Sequence, residues 1–191
     1  MLWGAALMLA ASLVACGPAE KLQFKGTDIT GAEYGRSLAL TDQDGKSRSL
    51  ADFKGKVVVV FFGYTQCPDV CPTTMAELAQ VKKSLGKDGE RLQGIFVTVD
   101  PERDTPEVLG KYVGAFDPRF LGLYGDAAAT QRAAREFKVF FEKRKSADGY
   151  SVDHSGQTYV IDPQGRLRLF VRPERLGADL PDDLRTLLKS G

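Results

Sequence analysis

The sequence predicts an α/β sandwich built on a mixed central sheet, and three observations carry that reading. Two continuous apolar runs, Val57 to Phe62 and Ile95 to Val99, are too short for most helices and rich in β-branched residues, which suits strands covered on both faces. Each run is followed by a helix-start signal, Pro72 after the first and Thr105-Pro106-Glu107 after the second. Near the C-terminus, Gln157 to Ile161 and Leu167 to Val171 flank the turn residues Asp162-Pro163-Gln164-Gly165, the pattern of a hairpin. Strands alternating with helices, then an antiparallel pair and a closing helix, give a sheet of mixed direction.

The remaining elements follow in order. Leu38 to Leu40, the turn residues Asp42 to Gly45, and Arg48 to Leu50 read as an N-terminal β-hairpin. Met75, Leu78, Ala79 and Leu85 recur at helical spacing and define a helix from Pro72 that stops at Gly86. A second helix is capped by Thr105 and runs to about Phe116. Phe120 to Tyr124 is a short strand, and Asp126 caps a helix through Phe137. Val139 to Glu142 begins another strand ahead of a charged loop, Lys143 to Asp148. A last helix, Pro181 to Lys189, packs Leu184, Leu187 and Leu188. This order matches a thioredoxin-like sandwich.

A chain of 191 residues, 43% hydrophobic and 27% charged, accommodates one globular domain and a short extra segment. Lys and Arg total 26 against 25 Asp and Glu, so no charge imbalance favours nucleic acid, and none is expected as a partner. The first fifteen residues carry no charge. As a helix they would reach only about 22 Å against a hydrocarbon core of about 30 Å, which favours a signal peptide over a stable span. Small residues before Cys16, with Gly17 and Pro18 after it, resemble a bacterial lipoprotein processing site, which would make Cys16 the lipid attachment point. Residues 1–16 are therefore expected to be a signal peptide and lipobox or an uncleaved anchor, 17–35 a linker, and 36–191 the folded domain. Either form of the leader puts the domain on the outer side of a bacterial cell membrane, facing the periplasm or the cell exterior. Setting Cys16 aside leaves one thiol pair in an oxidising compartment.

That pair is Cys67 and Cys71, in Gly63-Tyr-Thr-Gln-Cys-Pro-Asp-Val-Cys-Pro72, between the carboxyl end of a central strand and the start of a helix. Open α/β sheets place ligands there. Backbone N–H groups at a helix start favour thiolates, which are both nucleophiles and soft metal ligands. The three-residue gap lets both sulfurs face one site, as a redox pair, a metal clamp or a structural disulfide. A structural bridge would close a very small loop and remove little unfolded-state entropy. The only histidine, His154, lies in a turn before the Gln157 strand, and in a thioredoxin-like sheet that turn faces the cysteine turn. Two thiolates and one imidazole suit trigonal Cu(I), whereas a structural zinc site normally takes four protein ligands. Asp153 is positioned to orient the His154 ring.

A general disulfide oxidoreductase would carry a two-residue gap between its cysteines and a proline directly before the facing strand, and both are missing here. A thiol peroxidase would carry a proline and a hydroxyl residue in the turn before its cysteine, and no proline precedes Cys67. Three stretches, GYTQCPDVCP from Gly63, VDPERDTP from Val99 and DHSGQTYVID from Asp153, together resemble the signatures of the Sco/SenC family, copper chaperones of thioredoxin-like fold used in cytochrome c oxidase assembly. The resemblance implies copper ligands at Cys67, Cys71 and His154, one Cu(I) or Cu(II) per chain, with Asp100 near the metal in an acidic loop from Asp100 to Asp104. It implies transfer to the dinuclear copper centre of oxidase subunit II, from an upstream copper donor, by a protein held at the membrane through its N-terminal anchor. The role so implied is that of a metallochaperone and not a turnover enzyme. The alternatives are a thiol-disulfide reductase of the oxidase copper-site cysteines, with Cys67 and Cys71 as the redox pair, and a copper-responsive redox sensor.

Overall fold

The computed structural model describes residues 22–146 and 149–190. Among the described residues, ten strands and four α-helices follow one another: β1 Thr27–Asp28, β2 Leu40–Asp42, β3 Ser47–Arg48, β4 Val57–Gly63, α1 Val70–Ser84, β5 Leu92–Thr98, α2 Pro106–Gly114, β6 Leu121–Tyr124, α3 Ala127–Glu136, β7 Phe141–Ser146, β8 Gly149–His154, β9 Thr158–Ile161, β10 Leu167–Val171 and α4 Leu176–Lys189. Eight strands form one sheet in the order β1-β10-β9-β4-β5-β6-β2-β3, while β7 and β8 make a separate two-stranded ribbon. Strand β4 runs parallel to β5 and antiparallel to β9, giving the mixed, thioredoxin-like sheet that the sequence predicts.

The unbroken apolar run of β4 reflects burial on both faces. Val57, Val59 and Phe61 join one core with Met75 and Leu78 of α1, Leu109 of α2 and Leu180 and Leu184 of α4. Val58, Val60 and Phe62 point to the other face, where they join a second core with Ile95 and Val97 of the neighbouring β5 and with Ala134 and Phe137. Side-chain alternation along a strand requires this split. The carboxyl end of β4 is thus fixed from both sides, and the cysteine turn begins there.

Four elements depart from the sequence reading. Residues expected to be linker are partly ordered in the domain: β1 pairs with β10, and both carboxylate oxygens of Asp183 accept backbone N–H groups, from Lys25 and Gly26, at 2.8 Å. The charged loop expected from Lys143 to Asp148 is, as far as Ser146, the outer part of β7, where Glu142 to Lys145 are exposed while Val152 of β8 is buried; residues 147–148 lie outside the described residues. Helix α1 starts at Val70, so Cys71 lies in its first turn and Pro72 is its third residue, where no intrahelical N–H bond is lost. Helix α4 starts at Leu176 and contains Pro181. An interior proline costs about 3 kcal/mol, and the fully buried leucines 176, 180, 184 and 187 outweigh it.

Two turns share one design. Asp42 and Asp162 each accept backbone N–H bonds from residues two and four places on, and each holds an arginine six places on, Arg48 or Arg168. Gly45 and Gly165 supply the positive φ, 78° and 84°, that the turns need. Asp162 is fully buried as a side chain and Arg168 nearly so, whereas Arg166, the other partner of Asp162, is 63% exposed. Leaving Arg168 buried and unpaired should cost about 3 kcal/mol. Urea unfolding is therefore expected to show about that loss for Asp162→Ala, against less than about 1 kcal/mol for Arg166→Ala.

Candidate metal centre

The cysteine turn is held by an acid that the sequence reading placed only in the acidic loop from Asp100 to Asp104. Asp104, 1% exposed, accepts from Thr65 N–H at 3.0 Å, Thr65 Oγ1 at 2.6 Å and Thr98 Oγ1 at 2.6 Å. It ties the residues before Cys67 to the end of β5. Burial pushes its carboxyl above the ordinary range, and the hydrogen bonds from Thr65 and Thr98 oppose that shift. Gly63 leaves room for the second cysteine: a Cβ there would stand 2.7 Å from Cys71 Sγ, closer than van der Waals contact allows.

His154 is the last residue of β8, paired opposite Phe141, and not part of a turn. Its ring sits edge-on to Tyr64, at 5.9 Å and 89°, and to Phe61, at 6.0 Å and 71°. Nδ1 lies 3.0 Å from the Ser155 carbonyl oxygen. A carbonyl only accepts, so Nδ1 carries the proton and Nε2 presents a lone pair. Nε2 lies 3.4 Å from Cys71 Sγ. The orienting partner is therefore the Ser155 carbonyl, in place of the expected Asp153. That side chain is exposed and accepts from Arg144 Nε at 3.1 Å.

The ligand atoms of Cys67, Cys71 and His154 all lie within 4.8 Å of one another. Metal bonds of about 2.0 to 2.3 Å would place trigonal ligands about 4 Å apart, so the group needs only a small contraction to close on an ion. Asp100 lies outside this group. It is fully buried and accepts from Arg103 Nε and from Tyr150 Oη, the latter at 2.9 Å. It supports the hairpin that carries His154 and contributes no ligand to the three-residue group.

The two thiols are unequal. Cys71 is buried and Cys67 only partly so, and both are free. The hydrogen bond from Cys71 holds the Cys67 thiol down to about 4, against the opposing effect of burial and with support from the backbone N–H groups of Asp69 and Cys71. Cys71 is pushed far up, first by the same bond to Cys67 and then by burial. One proton is shared by the pair, and Cys67 is the thiolate. Such a site can attack a disulfide or bind a soft cation once the second proton leaves.

Fold and site together define a thioredoxin-like domain with a Cys-Cys-His group at the carboxyl end of its central strand. The SCO1/SenC family model matches residues 26–189, and the chain belongs to that family. The mitochondrial Protein SCO2 homolog of Bos taurus is 36% identical over 152 residues, covering 78% of this chain and 57% of its own length. The chain thus spans little more than half of that relative. ScoI of Bradyrhizobium japonicum, solved with copper bound, is 39% identical, with a TM-score of 0.71 over 82% of this chain and 99% of the other. BsSco, a member of the Sco family of cytochrome c oxidase assembly proteins in which a disulfide switch was identified, is 25% identical, with a TM-score of 0.66 over 88% and 97%.

A lowered folded-state pKa means that the Cys67 thiolate is present above it and lost below it. Ultraviolet thiolate absorbance of the reduced, metal-free protein is expected to rise by one thiolate per chain around pH 4, and Cys67→Ser should abolish that step. A first thiolate appearing only near the ordinary value of about 8.5 would contradict the shared-proton arrangement.

Proposed function

We propose that the protein is a copper metallochaperone that binds one copper ion, as Cu(I), through Cys67, Cys71 and His154, and delivers it to the dinuclear copper centre of cytochrome c oxidase subunit II. The observation that carries this reading is the approach of His154 Nε2 to Cys71 Sγ with Cys67 Sγ in the same group. Two sulfurs and one imidazole fit Cu(I), and three ligands leave a position for an incoming thiolate. Cys67 and His154 are both partly exposed, so a partner can reach the site. Phe140, 58% exposed, adjoins it through backbone bonding to Ser155 and offers an apolar contact for such a partner.

The copper-bound structure of ScoI and the assembly role given for BsSco support the cargo and the target. An upstream donor supplies the copper. The N-terminal leader, with Cys16 as lipid attachment point, holds the domain on the outer face of the membrane beside the oxidase and raises its local concentration there. Residues 1–21 lie outside the described structure. The protein does not turn over a substrate in this role.

A second reading rests on the inequality of the thiols. Partly exposed, ionised Cys67 is built to attack a disulfide on the oxidase subunit, and buried Cys71 to resolve the mixed disulfide, releasing the subunit's dithiol and leaving a Cys67–Cys71 disulfide. Anaerobic Cu(I) competition on the full chain is expected to give one copper per chain, with affinity lowered at least about tenfold in His154→Ala. Oxidase assembly in cells should fall with it. Assembly that survives His154→Ala but fails in Cys67→Ser and Cys71→Ser would favour the reductase.

A further inference from the structure

The ribbon of β7 and β8 carries His154, yet it shares no strand ladder with the sheet that positions the cysteines. The main sheet therefore does not by itself fix how far His154 stands from Cys67 and Cys71. Buried Val152 anchors one face of β8, and apolar packing of that kind sets a depth more than a register. Besides the Val152 backbone hydrogen bond to Tyr64 and the Cys71–His154 contact itself, the polar links between ribbon and cysteine turn meet at one side chain.

Arg103, in the loop after β5, donates through Nη1 to Gln66 Oε1 at 3.1 Å, the residue before Cys67, and to the Tyr150 carbonyl at 2.9 Å on β8. Its guanidinium lies 3.7 Å from the Tyr150 ring centroid and 5.6 Å from that of Tyr64, whose ring stands at right angles to that of His154. Nε donates to Asp100, which also takes the Tyr150 hydroxyl. Nη2 is buried without a partner, so solvation and ion pairing alone do not account for where this group sits. A planar, forked, stacking cation can meet all these demands at once, and an ammonium cannot.

We propose that Arg103 is a positioning residue that sets the placement of His154 against the two cysteines and so the affinity of the site for copper. This rests on the copper reading of the site. Arg103 acts through the histidine strand, so its effect should vanish when His154 is no longer a ligand.

The test uses the full chain and Cu(I) in anaerobic competition, on wild type, Arg103→Lys, His154→Ala and the double variant. Arg103→Lys keeps a counter-charge for Asp100, which protects folding, but loses the fork and the stacking. It should weaken Cu(I) binding about tenfold in the wild-type background, and less than about twofold in the His154→Ala background. In the metal-free protein, amides from Tyr150 to His154 should exchange about tenfold faster in Arg103→Lys, with those of β4 unchanged. If lysine proves sufficient, Arg103→Gln must show the same coupled loss. Equal losses with and without His154, or no change in affinity and exchange for either variant, would overturn the proposal. A wild type that binds no Cu(I) refutes the copper reading instead, and amide exchange then decides the role of Arg103 alone.

Discussion

The contact between Cys71 Sγ and His154 Nε2 joins residues 83 positions apart in the chain, and much of the surrounding structure exists to hold it. One side of the contact hangs from the main sheet. Strand β4 is locked by apolar packing on both faces, Gly63 leaves the space that Cys71 fills, and Asp104 pins the turn at Thr65. The other side hangs from a ribbon outside that sheet, with the ring steered by a backbone carbonyl and two aromatic edges. Two separately built arms meeting at one point need a brace between them, and the Asp100, Arg103 and Tyr150 cluster occupies that place.

Metal binding and redox chemistry are linked through the same two sulfurs. A thiolate next to a thiol that keeps its proton can begin disulfide exchange, while copper must displace that second proton to use both sulfurs. A disulfide between Cys67 and Cys71 removes two of the three ligands. The electron state of the pair therefore decides whether the site accepts a cation, and the proposed chaperone and reductase roles are successive uses of one geometry.

The parts legible in the sequence were those with a local signal. Valine and phenylalanine runs announced β4 and β5, Thr105 and Asp126 announced helix starts by capping chemistry, and each caps as expected, accepting from Val108 N–H and Ala129 N–H. The two cysteines and the lone histidine were legible because few residue types do their chemistry. What escaped had no local signal. The ribbon reads Phe-Glu-Lys-Arg-Lys-Ser, a charged stretch whose pairing becomes visible only against its partner strand. The Ser155 carbonyl that orients His154 is a backbone atom and leaves no mark in the sequence. Asp104 reads as one acid among several, and only the folded chain shows it enclosed by two threonines. Strand β1 is two exposed residues, too short to show alternation.

The central claim is that three ligands from two independently held arms converge on one copper ion. X-ray absorption spectroscopy of the full chain loaded anaerobically with one equivalent of Cu(I) reads that ligand set directly. The account predicts a three-coordinate copper with two sulfur neighbours and one nitrogen, the nitrogen shell with its imidazole scattering disappearing in His154→Ala. A copper bound by sulfur alone in the wild type, or a spectrum unchanged by His154→Ala, would contradict it.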